Sequence, residues 1–406
     1  MKKILSLILV LCMFLCICIP AFADFDLDTK TLSFNKDTHQ FKIFVVNDIQ
    51  DDENVEQQTI DLLKKSLADE KPDLVILNGD QLSDIEFNLG TSGYEKTIRT
   101  ICDIIEEAKI PFLFTYGNHD NDKSLVFPIS KQAKVYNSYN YCFAANNGPD
   151  SGTYNNIVYG SDGKTMKLNI YMMNTGAWDL EGWLSGVTPC QQSWYRNTRD
   201  ALAKANGGIV PSVVFQHIPV KETYSVLKEV NPKVHPEAIR GNFFGTAYKA
   251  YVLDESKLVP HLDGSPQSIA DKEAVFASAI CSEHPLKYTG QYASWLEKDD
   301  VFAAFFAHDH KNNFISYTDD HVILAYNRGF GFATEGDGTL RGGRMLVFNE
   351  NNVKNFDFYN VCYQDYFDEP FEDTEGGIGF MANNLLQTIR AAIADTFFSF
   401  LYPKAS

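Results

Sequence analysis

The sequence predicts an α/β protein built around a parallel sheet, and two observations carry that prediction. Between residues 41 and 116, three apolar runs of strand character alternate with two segments of helical spacing, the pattern of consecutive βαβ units. Each run also ends in a short polar cluster: Val46-Asn47-Asp48-Ile49-Gln50, Asn78-Gly79-Asp80 and Gly117-Asn118-His119-Asp120. Gln216-His217 and His308-Asp309-His310 follow later apolar runs in the same way. Open α/β sheets place their sites beyond the ends of their strands.

In chain order, Phe41 to Asn47 forms the first strand. Asn54 to Glu70 follows as a helix, with Val55, Ile60, Leu62, Leu63 and Leu67 at helical spacing. Pro72 leads into a second strand over Asp73 to Asn78. Tyr94 to Ala108 carries Ile98, Ile101, Ile104 and Ile105 on one helical face, and Pro111 to Tyr116 is the third strand. Residues 136–176 turn rich in Tyr, Asn and Gly, with a strand at Lys167 to Asn174. Pro189 to Ala205 reads as a helix and Ser212 to Phe215 as a strand. Residues 219–290 form a long polar insertion of a length that often serves as a lid or cap. Gln291 to Lys298 is a short helix and Val301 to Ala307 a buried strand. The short strands Phe314–Tyr317, His321–Tyr326, Arg344–Phe348 and Asn355–Tyr359, in hairpin style, imply a second sheet.

The ends differ from this body. Lys2 and Lys3 precede the apolar stretch Ile4 to Ile19, and Ala21-Phe22-Ala23 offers small residues for cleavage. Residues 1–23 therefore read as a secretory signal peptide, with a retained membrane anchor as the other reading. The protein is expected to be secreted after cleavage near Ala23, and the main domain to cover 24–376. In the remaining segment, 377–406, Asn383 to Tyr402 reads as an amphipathic helix that Arg390 and Asp395 keep from spanning a bilayer. It reads either as docked on the core or as a contact for a membrane surface or partner. A net charge of −18 excludes the basic surface that broad nucleic-acid binding requires. Three of the eight cysteines lie in the first 23 residues. The others, Cys102, Cys142, Cys190, Cys281 and Cys362, show no CxxC spacing and read mainly as buried thiols, with one or two disulfides left open.

Asp, Asn and His side chains delivered to one rim suit hard or borderline metal ions. Taken in order, Asp48, Gly79-Asp80, Gly117-Asn118-His119-Asp120, His217 and His308-Asp309-His310 resemble the calcineurin-like metallophosphoesterase superfamily. Its pattern runs D-x-H, G-D, G-N-H-[DE], H and G-H-x-H, and the resemblance spans about residues 41–312. Within that superfamily the chain is most similar to the purple-acid-phosphatase-like subgroup that includes a yeast cell-cycle regulator. The supporting segments are Phe215-Gln216-His217-Ile218-Pro219, Gly290-Gln291-Tyr292, His308-Asp309-His310-Lys311-Asn312 and Leu324 to Gly331.

The resemblance implies a sandwich of two mixed β-sheets flanked by helices, with two divalent ions (Mn, Fe or Zn) at the rim. It assigns Asp48, His310 and Gln50 to one ion, Asn118, His217 and His308 to the other, and Asp80 to the bridge between them. A metal-bound hydroxide would attack the phosphorus, His119 would protonate the leaving group, and Asp120 would orient His119 or a ligand. Tyr326 and Arg328 are candidate substrate contacts, Arg328 for bidentate phosphate binding. Three positions depart from the pattern. Gln50 replaces a histidine with a neutral, weaker donor, which favours a harder ion such as Mn²⁺ or Mg²⁺. Ala307 stands where glycine is usual. Gln81, Leu82 and Ser83 follow Asp80 without the metal-bound tyrosine of purple acid phosphatases proper. The expected activity is hydrolysis of a small-molecule or lipid phosphomonoester or phosphodiester. Gln50 also motivates a catalytically weak or silent metal-binding scaffold, and the insertion with the apolar tail motivates a phospholipid-type phosphodiesterase.

Overall fold

The computed structural model describes residues 25–82, 91–122, 126–177, 184–241, 249–281 and 286–371. The expected signal peptide and C-terminal helix lie outside these residues. The chain runs through β1 (Phe25–Asp26), β2 (Thr31–Ser33), β3 (Gln40–Val46), α1 (Gln57–Glu70), β4 (Leu74–Asn78), α2 (Thr91–Ala108) and β5 (Phe112–Thr115). It continues through α3 (Asn118–Asp122), α4 (Ile129–Tyr136), β6 (Tyr154–Tyr159), β7 (Met166–Met173), α5 (Pro189–Asn206) and β8 (Ser212–Gln216). Then come β9 (Leu227–Val230), β10 (Ile239–Arg240), β11 (Ala250–Leu253), α6 (Gln291–Leu296), β12 (Val301–Phe306), β13 (Phe314–Tyr317), β14 (Ile323–Tyr326), β15 (Gly342–Asn349) and β16 (Asp357–Cys362).

Two mixed sheets face each other. The first has the order β16-β15-β3-β4-β5, with β3, β4 and β5 parallel and the last two strands of the chain added antiparallel on one side. The second has the order β1-β2-β6-β7-β8-β12-β14-β13, with a parallel centre of β7, β8, β12 and β14. Parallel strands buried on both faces read as continuous apolar runs, and here the alternation sorts each run between layers. Phe41, Ile43, Val45, Leu74 and Ile76 pack between the sheets against Val213, Phe215, Ala303 and Phe305. Phe44, Val46, Val75 and Leu77 turn outward beneath Leu62, Leu63, Leu67, Ile98 and Ile105 of α1 and α2. Val214, Ala304 and Phe306 turn outward on the other side, beneath Tyr195 of α5 and Trp295 of α6. The result is a four-layer α-β-β-α body.

This architecture brings strand ends from both sheets together. The buried Asn78 amide at the end of β4 donates to the Gln216 carbonyl at 3.2 Å and the Phe305 carbonyl at 3.3 Å, tying the ends of β8 and β12 to β4. Strands β1, β2 and β6 are additions to what the sequence predicts. Tyr154–Tyr159 carries two asparagines, a residue depleted in strands. The amide nitrogens of both find tertiary acceptors, Asn155 donating to the Asn169 side chain and Asn156 to the Phe143 carbonyl. Within the insertion, β10-β11-β9 form a separate three-stranded sheet. Its later part lies along β13, where the Val259 amide donates to the Ile315 carbonyl at 2.9 Å and covers an otherwise open sheet edge. Among the described residues all five cysteines are free thiols, four of them buried and Cys190 exposed. No described helix is long and apolar enough to cross a membrane.

Candidate metal centre

The backbone at the strand ends is as unusual as the side chains it presents. Asp48, Gln50, Asp80 and His308 adopt positive φ values of 51°, 42°, 51° and 80°. Non-glycine residues occupy this region at a cost, and such residues concentrate at functional sites. Gly79, at φ 89°, has no room for a side chain: a Cβ there would lie 2.7 Å from the Gly117 nitrogen and 2.8 Å from the His217 Cβ. The two strand ends can approach only because residue 79 is glycine.

Through these turns the candidate ligands converge. His217 Nε2 lies 3.0 Å from Asp80 Oδ2 and 3.7 Å from Asp48 Oδ1, and His310 Nε2 lies 3.4 Å from Asp48 Oδ1. Ligand atoms of Asp80, His217 and His308 all lie within 4.8 Å of one another. The His217 and His308 rings stand edge to face at 5.5 Å. The second ring nitrogens are already engaged: His217 Nδ1 meets the Asn78 carbonyl at 3.1 Å and His310 Nδ1 the Glu335 carbonyl at 2.7 Å. Those bonds leave Nε2 as the coordinating atom. Both polar atoms of the Asn118 side chain are buried without a hydrogen-bond partner. Buried polar atoms are nearly always paired, so an unpartnered side chain beside these ligands fits a divalent cation.

The electrostatics agree. Burial disfavours the charge of Asp80, yet His217, His119 and His308 outweigh it and hold the carboxyl far below its usual range. Asp48 is likewise held low by His310 and His217 against its burial. In return, and again against burial, Asp80 with Asp48 raises His217 to about 9, and Asp48 raises His310 to about 9. His308 moves to about 3, through burial and the neighbouring His217 charge. Without a metal, two ring protons therefore occupy the ground between the carboxylates.

The sequence model of calcineurin-like phosphoesterases matches residues 41–312, about two thirds of the chain, and this span holds every one of these ligands. The chain belongs to the calcineurin-like phosphoesterase family. Among curated proteins it is similar to the probable inactive purple acid phosphatase 29 of Arabidopsis thaliana, 24% identical over 312 residues, covering 72% of this chain and 68% of that one. It is also similar to the probable inactive purple acid phosphatase 14 of the same plant, 26% identical over 258 residues, covering 53% of this chain and 62% of that one. Among solved structures, a Thermus thermophilus protein matches at TM-score 0.38 and 10% identity, covering 79% of this chain and 99% of that one. The inner-membrane-complex anchor of Plasmodium matches at TM-score 0.41 and 9% identity, covering 82% of this chain and 89% of that one.

Several roles expected from the phosphoesterase pattern change in the structure. Asp120, expected to orient His119 or a ligand, meets the turn that carries Asp80. Its buried carboxylate accepts the backbone N–H groups of Gly117 and Asp80 at 2.9 and 2.8 Å, and of Gln81 and Leu82 at 3.1 and 3.3 Å. It clamps the Asp80 turn to the Asn118 turn, and burial with the adjacent Asp80 charge raises it to about 7. His119 is held instead by Asp122, whose Oδ2 lies 2.8 Å from His119 Nδ1. Asp122 escaped the sequence reading, although a partner three residues on within one helical turn is a readable signal. Gln50 reaches the site with the wrong end for a ligand: its Nε2 donates to Asp80 Oδ2 at 3.1 Å, while its Oε1 accepts from Thr334 Oγ1 at 2.6 Å. Thr334, 284 residues away, left no local signal.

The two candidate substrate contacts lie in the support of the site. Tyr326 is fully buried and its hydroxyl donates to Asp309. The Arg328 guanidinium, 3% exposed, donates to the Leu340 and Lys272 carbonyls. Burial and these bonds take both off the open rim. Asn47, also missed, donates to Asp48 Oδ2 at 2.6 Å and to the Asn327 and Arg328 carbonyls, orienting that carboxylate from behind.

Proposed function

We propose that the protein is a phosphoester hydrolase with a two-metal centre, exported from the cytoplasm and acting on a small-molecule or lipid phosphoester. The observation that carries this reading is the buried gathering of Asp80, His217 and His308, with Asp48 and His310 adjoining and His119 beside it. Asp48 and His310 would hold one ion, Asn118, His217 and His308 the other, with Asp80 between. Ions bound there supply charge neutralisation at the phosphoryl group and an activated water. His119 is the proton-transfer group. Its amide donates to Asp80 Oδ1 at 2.9 Å, which fixes its backbone beside the ligands. With Nδ1–H donated to Asp122, Nε2 is the atom that protonates the leaving oxygen. Both side chains remain partly exposed, at 16% and 23%, as a group serving substrate must.

The names of the two plant relatives support a second reading, a metal-binding scaffold without turnover. A panel of phosphomonoesters and phosphodiesters with Mn²⁺, Zn²⁺ and Fe²⁺ separates the two. Turnover by the wild-type chain that His119→Ala abolishes is expected. No turnover of any ester with any metal would leave the scaffold. Export is checked by N-terminal sequencing of the protein recovered outside the cytoplasm, with a start near residue 24 expected.

A further inference from the structure

We infer that the two metal positions bind with unequal affinity, because Gln50 lends no donor atom to the Asp48 position and acts as a hydrogen-bond donor to Asp80. This rests on the two-metal reading above. The Gln50 amide is gripped at both ends, by Asp80 Oδ2 at 3.1 Å and by Thr334 Oγ1 at 2.6 Å. Its orientation follows from the chemistry of its neighbours. An ionised carboxylate only accepts, so the amide end facing Asp80 must be the nitrogen. A carboxyl group that bridges two ions does so as the carboxylate, so Asp80 presents only acceptors, and Thr334 Oγ1 supplies the donor that the Gln50 oxygen takes up at the other end. The carbonyl oxygen, the only atom of the Gln50 side chain able to ligate, is thereby turned to Thr334. The main chain holds the arrangement: the Gln50 amide donates to the Asp80 carbonyl at 2.9 Å, and the residue is 7% exposed.

The donor sets then differ. His217, Asp80 and His308 already lie within 4.8 Å of one another, and the buried, unpartnered Asn118 side chain sits between Gly117, packed against Gly79, and His119, whose amide donates to Asp80. His310 has Asp48 at 3.4 Å and, by the two-metal reading, shares Asp80, with no further donor placed there among the described residues. Four donors, already compact, hold an ion more tightly than three. One ion enters the Asn118–His217–His308 position tightly, and the Asp48–His310 position fills at a concentration at least about tenfold higher. That factor is at the low end of what a changed ligand environment typically costs in metal affinity.

Equilibrium dialysis of the full chain against Mn²⁺, with bound ions counted by elemental analysis, tests this without recourse to activity. Two classes of site are expected in the wild type. His310→Ala should remove only the weak class. Gln50→Leu, which deletes both ends of the amide, should keep the weak class within about threefold. Gln50→His, which adds a ligating nitrogen, should tighten it about tenfold or more. The tight class serves in each variant as the sign of an intact centre. Two equal sites in the wild type would overturn the inference, and so would a Gln50→Leu chain that retains the tight ion and loses the weak one. Binding of no ion by the wild type would instead remove the two-metal reading on which it stands.

Discussion

Asp120→Ala is the sharpest perturbation of the site that replaces no proposed ligand. The carboxylate accepts four buried backbone N–H groups, from Gly117, Asp80, Gln81 and Leu82. A buried donor left without a partner costs about 1–3 kcal/mol, so four set a simple sum of about 4–12 kcal/mol, and relaxation of the two turns brings the expectation to the lower end. The loss depends on pH in a definite direction. Burial and the Asp80 charge raise the folded carboxyl from 3.8 to about 7, so between those values the folded chain holds a proton that the unfolded chain has released. Stability from this group is therefore complete at low pH and falls as pH rises toward 7, by about 4 kcal/mol for three units. The alanine variant lacks that slope. Urea unfolding of metal-free protein should show wild type exceeding Asp120→Ala by about 4 kcal/mol below pH 4 and about 2 kcal/mol near pH 5, with the gap narrowing further toward pH 8. A gap under about 1 kcal/mol near pH 5, or one that widens with pH, would refute the clamp.

Other outcomes follow from the same geometry. His119→Ala should lower kcat by about 10²–10⁴-fold while leaving Mn²⁺ stoichiometry intact, and Asp122→Asn should cost less than His119→Ala and move the alkaline limb of the pH–rate profile to lower pH. His217 and His310, held at about 9, carry protons near pH 7.5 and must lose them to ligate, so metal addition in weak buffer should release close to two protons per chain. The release should vanish above about pH 10, and its absence at pH 7.5 would contradict the pairing with Asp80 and Asp48. Gly79→Ala should destabilise the chain and weaken metal binding together, because its Cβ would meet the Gly117 nitrogen at 2.7 Å and the His217 Cβ at 2.8 Å. Retention of wild-type metal affinity in that variant would show that the two turns can move apart.

Local pattern carried much of this molecule. Phe41 to Asn47, Asp73 to Asn78 and Val301 to Ala307 are read as strands because residues buried on both faces are continuously apolar, and each lies within a residue of its expected bounds. Strand β6 was invisible for the opposite reason: its asparagine amides donate to Asn169 and Phe143, 14 and 13 residues away, and such contacts leave no mark in the apolar periodicity. The residues that converge at the site were legible as candidates because Asp, Asn and His at strand ends are local features of the chain. Their supports were less so, since a hydrogen bond between Thr334 and Gln50 leaves no trace in the composition around either.

By itself, then, the sequence determined which side chains could meet a metal ion, because residue type and strand-end position are local properties. Only the tertiary structure decided what each does there. Whether Asp120 holds a histidine or a backbone turn, whether Gln50 turns its oxygen or its nitrogen inward, and whether Arg328 faces a substrate or two carbonyls depend on atoms far along the chain. Hydrogen bonds are directional and short in range, so such choices are made only once packing has brought the partners within about 3 Å.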